Sequence, residues 1–375
     1  MDLTQAQSLL GSLSPAQFMR RHWHRKPLLV RQAIAGVVPP VTRVEMFALA
    51  ARDDVESRLI QRDGGDAWQL RHGPLPRRAL PPLARPGWTL LVQGLDLHVD
   101  AAHELLARFR FVPAVRLDDL MLSYASEGGG VGPHIDSYDV FLLQVQGRRR
   151  WRFGRVENVQ LRDDVPLKML ASFTPEQDWL LEPGDMLYLP PGWAHDGIAV
   201  GGDCMTASIG FRAPRADELA QALLARLADA SQASDRVPHY RDPGQAATTA
   251  SGEVPQALQR FAHWALGRAL SDPQAIERTL GEWLTEPKAQ VWFVAGAAQN
   301  AERGVQLDRR SRMAYDARYI FINGESMRAA GRDARLMRAL ADQRRLDARA
   351  VRRAGPEART MLDEWLACGW LQAAP

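Results

Sequence analysis

The segment Gly184-Asp185-Met186-Leu187-Tyr188-Leu189-Pro190-Pro191-Gly192-Trp193-Ala194-His195 constrains this chain more than any other stretch. Met186 to Leu189 is a short apolar run, and the Pro-Pro-Gly that follows can continue neither a helix nor a central strand. Gly and Pro there dictate a tight turn, so a strand-turn-strand unit delivers His195 in a fixed direction. Upstream, Gly128-Gly129-Gly130-Val131-Gly132-Pro133-His134-Ile135-Asp136 offers a His and an Asp two residues apart, directly before the apolar run Val140 to Leu143. In an extended segment residues i and i+2 project to one side, so His134 and Asp136 can reach a common point while Ile135 turns away.

Two imidazoles and one carboxylate form the facial ligand set of a non-haem Fe(II) oxygenase, which leaves the opposite coordination face open. His134, Asp136 and His195 are therefore the candidate metal ligands. His-x-Asp alone is weak evidence in a chain with 9 His, and its ordinary reading is a surface turn. The long Gly-Asp-x4-Pro-x-Gly-x2-His pattern gives the pair its weight. Zinc accepts the same ligands, but it more often takes three His or adds Cys.

The Gly184 to His195 segment resembles the second motif of the cupin superfamily, and His-x-Asp in place of the cupin His-x-His resembles the JmjC branch. The likeness is closer to the bacterial ribosomal oxygenases. It is carried by Leu117 to Met121, Gly128 to Asp136, Tyr138 to Phe141, Gly147 to Arg152 and the Pro190-Pro191-Gly192 turn, spanning roughly residues 20 to 212. The resemblance implies an α+β fold built on a double-stranded β-helix (the cupin/JmjC jelly roll). It also implies Fe(II) as cofactor, 2-oxoglutarate as cosubstrate, and hydroxylation of an arginine of the sixteenth large-subunit ribosomal protein.

A 2-oxoglutarate site needs a cation for the distal carboxylate, and Arg148-Arg149-Arg150-Trp151-Arg152-Phe153 offers four. Strand parity separates them. Arg149 shares a face with Trp151 and Phe153, whereas Arg148, Arg150 and Arg152 share the charged face. If the apolar face lines the barrel, Arg149 is inside, and a carboxylate is the natural partner of a buried guanidinium. Ser123 and Ser208 are candidate hydroxyl partners for the cosubstrate. Asp118, Asp119, Tyr138 and Asp139 lie near enough in sequence to the ligands to receive a basic substrate side chain, and Asp118, Tyr138 and Asp139 are taken as the substrate contacts. Each is also compatible with a structural role.

The 375 residues exceed what one compact domain usually holds, and a composition 46% hydrophobic and 24% charged is ordinary for a soluble globular protein. Only Cys204 and Cys368 are present, far apart, so neither a disulfide framework nor a structural zinc site is indicated. The opening Met1-Asp2-Leu3-Thr4-Gln5 is not a basic and apolar leader, and no apolar run approaches about 18 residues. The expectation is a cytoplasmic protein without membrane contact. A net charge of +3 gives no ground for direct nucleic-acid binding, which wants basic residues gathered on one face.

Three regions are expected: a catalytic domain over 1–211, with its core barrel at about 117–211, a helical region over 212–275, and a winged-helix-like domain over 276–375. Trp23 to Arg31 includes a strand launched by Pro27, with His22 and His24 read as solvated surface groups. Leu219, Leu223, Leu224 and Leu227, then Leu258, Phe261, Trp264, Ala265 and Leu270, recur at helical spacing. Periodicity alone would let these two helices pack back or pair with a second copy; the resemblance implies a homodimer. In the last region helices surround an alternating stretch, Arg312 to Ile322, and Asn323-Gly324 is a hairpin signal. Asp308, Asp316 and Glu325 interrupt its arginines, which favours a structural or protein-docking role over DNA binding.

Beside arginine hydroxylation, two functions remain open. One is another outcome on the same iron, such as lysine demethylation or a different hydroxylated residue. The other is a cupin that binds metal without oxidation, which would have no need of Arg149.

Overall fold

A computed structural model describes residues 2–64, 67–231, 238–243, 246–247, 249, 252–295, 301–328 and 330–374. The chain divides into two compact units, Met1–Ala213 and Pro214–Pro375.

Among the described residues of the first unit, twelve strands form two sheets: β1 (Leu28–Val30), β2 (Ser57–Asp63), β3 (Ala67–His72), β4 (Trp88–Val92), β5 (Leu117–Ala125), β6 (His134–Ile135), β7 (Val140–Gln146), β8 (Arg149–Arg155), β9 (Gln177–Leu181), β10 (Met186–Leu189), β11 (Trp193–Ala199) and β12 (Cys204–Phe211). One sheet has the order β1-β10-β7-β12-β5-β4-β2-β3, the other β6-β11-β8-β9. From β5 to β12 the chain shuttles between the sheets, which is the expected double-stranded β-helix, and β1 to β4 widen the larger sheet beyond it.

Period-two alternation builds a core on each face of the larger sheet. Between the sheets lie Val140 and Leu142 of β7, Trp151 and Phe153 of β8, and Leu187 and Leu189 of β10. Outside it, Phe141, Leu143, Tyr188, Leu120 and Leu122 pack against the helices α1 (Pro15–Arg21), α2 (Arg43–Ala50) and α3 (Asp100–Ala107). Reciprocal caps start α1, from Ser14 and Gln17, and α2, from Thr42 and Glu45, each worth about 1 kcal/mol.

The second unit contains α4 (Ala216–Ser231), α5 (Gln256–Ala269), α6 (Pro273–Thr285), β13 (Gly304–Leu307), β14 (Met313–Tyr315), β15 (Tyr319–Ile322), β16 (Glu325–Arg328), α7 (Gly331–Gln343), β17 (Arg345–Asp347), α8 (Ala348–Arg352), α9 (Pro356–Ala367) and β18 (Leu371–Ala373). Its core gathers Val305, Leu307, Ile320, Ile322, Met337, Leu340, Leu362 and Trp365. Asn323 and Gly324 turn β15 into β16 with φ of 49° and 91°, which only such residues adopt cheaply. The alternating stretch Arg312 to Ile322 is two antiparallel strands rather than one. Asp316 breaks it, because its carboxylate accepts the backbone N–H of Arg318 and Tyr319 and closes a turn.

Candidate metal centre

β6 pairs with β11 so that His134 and His195 are cross-strand partners, with ring centroids 4.2 Å apart. One ligand atom from each of His134, Asp136 and His195 lies within 4.8 Å of the others. The carboxylate of Asp136 stands 4.0 Å from His134 Nε2 and 3.6 Å from His195 Nε2. Both rings are oriented from behind: His134 Nδ1 lies 2.9 Å from the Gly132 carbonyl, and His195 Nδ1 lies 3.0 Å from that of Trp193. A carbonyl can only accept, so each Nδ1 carries the proton and each Nε2 lone pair is free for an ion. Burial, then the neighbouring His134, push His195 down to about 4, so it is a neutral ligand at physiological pH.

The turns do the aiming. Gly192, at φ 80°, donates its N–H to the Asp136 carbonyl at 2.9 Å and so ties the two ligand segments together. Gly132, at φ 77°, packs under Met169, where a side chain would collide with the sulfur. Asp185, the other fixed position of the long motif, is structural: its buried carboxylate accepts from the backbone of Gln32 and Glu182 and from Arg31.

Parity along β8 is as anticipated, with Arg149, Trp151 and Phe153 buried and Arg148 and Arg150 exposed. Arg149 crosses the barrel from the smaller sheet and donates to Ser123 Oγ of β5 at 3.1 Å, while its Nε and second terminal nitrogen are buried without a hydrogen-bond partner. Ser123 passes a hydrogen bond on to the Thr206 carbonyl at 3.3 Å. Ser208, two residues along the same face of β12, is 9% exposed. A donor left open in a dry interior costs roughly 1–3 kcal/mol, more when charged. The barrel is thus built for an acceptor-rich guest, and a dicarboxylate fits the guanidinium.

Trp151 was informative in the sequence only as a marker of face. Its indole N–H is also buried without a partner, its ring lying 5.8 Å from that of His195 and 5.6 Å from the Arg149 guanidinium carbon.

The three substrate candidates separate. Tyr138 is partly exposed and stands beside Asp136, Asp119 and Asp118; burial first, then these carboxylates, push its hydroxyl upward. Asp118, opposite the bulge where β12 slips between Gly210 and Phe211, is half-exposed and 3.5 Å from Arg212 Nε. Asp139 departs from the expectation. Fully buried, it accepts from Tyr188 OH at 2.5 Å and sits 3.1 Å from His24 Nε2, so its carboxylate anchors the Trp23-His24 turn instead of facing a substrate. His24 makes this pairing from an exposed position, as expected of a solvated group; His22 departs from that expectation, being buried with Nδ1 3.2 Å from the Pro27 carbonyl. Asp119 is likewise internal, holding Gln93 and the Gly94 N–H.

A β-helix with two His and one carboxylate converging beside a buried, half-satisfied arginine defines a JmjC-type oxygenase. The family model for the JmjC domain matches residues 104–219, and that for the ROXA-like winged helix matches residues 268–372. Over 284 residues the chain is 33% identical to the ribosomal protein uL16 3-hydroxylase of Escherichia coli, covering 75% of this chain and 74% of that one. It is 34% identical over 217 residues to a probable ribosomal oxygenase of Haemophilus influenzae, covering 55% and 52%. The crystal structure of E. coli YcfD superposes with a TM-score of 0.83 at 29% identity, covering 95% of this chain and 97% of that one. A YcfD complex with cobalt and 2-oxoglutarate superposes at 0.80 and 28% identity, covering 96% and 98%. The chain belongs to the family of JmjC-type ribosomal oxygenases.

Proposed function

We propose that this protein is an Fe(II)- and 2-oxoglutarate-dependent hydroxylase of a ribosomal protein, and that its target is an arginine of uL16, hydroxylated at the β-carbon. One observation carries the reading. A single barrel interior holds both the His134, Asp136, His195 donor set and the guanidinium of Arg149 with two nitrogens open. A cupin that binds metal without oxidation has no use for that arginine. The relative's name, a uL16 3-hydroxylase, supports the protein and the position.

Bound iron, with 2-oxoglutarate and dioxygen, supplies an oxidant for an unactivated C–H bond and releases succinate and carbon dioxide. The chain does the positioning. His134, Asp136 and His195 hold the ion on one face. Arg149, steadied by Ser123, takes the distal carboxylate, with Ser208 as a further hydroxyl on the same wall. The apolar cluster of Val140, Leu142, Phe153, Leu187 and Leu189 keeps water from the interior. Asp118 and Tyr138 receive the basic substrate side chain; Asp118 already stands beside one guanidinium, that of Arg212.

Within the described residues α5 buries no side chain and exposes Leu258, Trp264 and Leu266, and Leu270, which caps its C-terminus, is exposed as well. Exposed apolar side chains of this kind support pairing with a second copy, which the family resemblance implies and the helical spacing alone leaves open. No helix among the described residues is long and apolar enough to cross a membrane. A ribosomal-protein substrate places the reaction in the cytoplasm.

The test is succinate formation from 2-oxoglutarate under Fe(II) and oxygen, with and without purified uL16, and mass spectrometry of the protein. A stimulated rate and one added oxygen on an arginine support the whole reading. Turnover with uL16 unmodified removes the target, and no turnover with iron bound removes the oxygenase.

A further inference from the structure

Two indoles of the first unit, Trp88 and Trp151, keep a buried N–H without an acceptor among the described residues. A buried tryptophan ordinarily finds a partner for that hydrogen, so a bare one calls for a reason. The two sites give different reasons. Trp88, in β4, lies in the helix-side core with the rings of Phe47 and Tyr124 at 6.2 and 5.0 Å, where packing alone accounts for it. Trp151 lies between the sheets, its ring next to both the imidazole of a metal ligand, His195, and the guanidinium of Arg149.

The strand register fixes that position. β8 and β11 pair Arg149 with Ala199, Trp151 with Gly197 and Phe153 with His195, so Trp151 occupies the rung between the cation and the metal ligand. A Cβ at Gly197 would stand 2.6 Å from Cζ3 of the indole, with Cη2 and Cε3 the next nearest, so only glycine leaves room for the ring. Those three atoms form the benzo edge. The edge that carries the N–H is therefore the one turned away from Gly197.

Arg149 adds two open nitrogens on the same face of β8, which brings three unmet donors together. Donors cannot satisfy one another; an acceptor-rich guest can. 2-Oxoglutarate carries a carboxylate at each end, and the one farther from the metal has about four lone-pair sites for the protein to meet. We infer that the Trp151 indole N–H donates to this distal carboxylate beside Arg149, and so helps set the preference for a dicarboxylate over a 2-oxo monocarboxylate. The inference rests on the cosubstrate role of Arg149 given above and adds a neutral donor to it.

Calorimetric titration of the Fe(II)-loaded chain without oxygen tests it, with 2-oxoglutarate and with 2-oxopentanoate, which lacks the distal carboxylate. Trp151→Phe should weaken 2-oxoglutarate about tenfold, the worth of one hydrogen bond to a charged group, and leave 2-oxopentanoate unchanged. Trp88→Phe should lower the melting temperature and leave both affinities as they are. In the Zn(II)-loaded wild type with nitrogen-15-labelled indoles, 2-oxoglutarate should move the Trp151 N–H proton downfield and 2-oxopentanoate should not. That signal needs no substitution, so it decides the matter even where Trp151→Phe folds poorly. A wild type that does not bind 2-oxoglutarate removes the cosubstrate reading and this inference with it. With that binding intact, equal losses for the two acids, an unchanged affinity in Trp151→Phe, or an N–H proton that stays in place overturns the inference alone.

Discussion

Arg149 in the first unit and Asp308 in the second are both buried charges, 5% and 3% exposed, and the molecule treats them in opposite ways. Asp308 is complete: its carboxylate accepts from the backbone N–H, the Nε and one terminal nitrogen of Arg310 and from Gln372 Nε2. Arg149 is half-finished, with one bond to Ser123 and two nitrogens without a partner. A charge whose bonds all close inside the chain stabilises the native state, whereas one left open lowers stability until a guest arrives. The contrast marks which unit holds the site.

The largest effects belong to the ligands. His134→Ala or Asp136→Ala should abolish both iron binding and 2-oxoglutarate turnover, read by metal analysis of the purified protein and by succinate release. Retention of either rate at the wild-type level would remove these residues from the metal site.

Arg149→Met comes next and breaks the comparison from the open side. Cosubstrate affinity should fall on the order of a hundredfold, since two or three charge-assisted bonds are lost. Without cosubstrate, the variant should be more stable than wild type by about 1–3 kcal/mol, because an uncompensated buried charge has gone. Calorimetric binding and urea unfolding of the ligand-free protein check the two halves. A destabilised variant that still binds 2-oxoglutarate normally would make Arg149 structural, like Asp308.

Much of this site is legible in the linear string because it depends on periodicity and turns. His134 and Asp136 at i and i+2, the Pro-Pro-Gly turn, and the parity of Arg149 with Trp151 are all local facts that the pleat converts directly into geometry. What stays hidden depends on pairs distant in sequence. Asp139 looks like a mouth residue beside Tyr138 until the Trp23-His24 turn is seen closing over it, 115 residues away. Arg62, Arg152 and Arg162 form no cluster in sequence and share one groove in space. The Arg312 to Ile322 stretch misleads for a different reason: alternation is the same for one strand or two, and only the side-chain turn at Asp316 separates them.

The Asp308 side of the comparison has its own test. Burial raises that carboxyl, but the hydrogen bonds from Arg310 and Gln372 outweigh it and hold it below its ordinary value. A depressed folded pKa means stability that is present above the unfolded value and lost as pH falls through the folded one. Asp308→Asn should therefore cost the second unit about 2–3 kcal/mol at neutral pH. The gap from wild type should narrow below about pH 4, where the unfolded carboxyl takes its proton. Urea midpoints across pH 3 to 7 show this directly, and a gap independent of pH would mean that packing, not charge, is what Asp308 contributes.

Arg150→Ala should do least, and it is the control that gives the Arg149 result its meaning. Arg150 points outward on β8 and pairs with Asp178 at 2.8 Å, with 59% and 44% of the two side chains exposed. Solvent screens such a pair, so neither stability nor cosubstrate affinity should move beyond experimental error. The two arginines are adjacent in sequence and differ only in the face they occupy. If Arg150→Ala weakens 2-oxoglutarate binding as much as Arg149→Met, the strand carries its cation on the other face, and the open guanidinium inside the barrel is not the cosubstrate's partner.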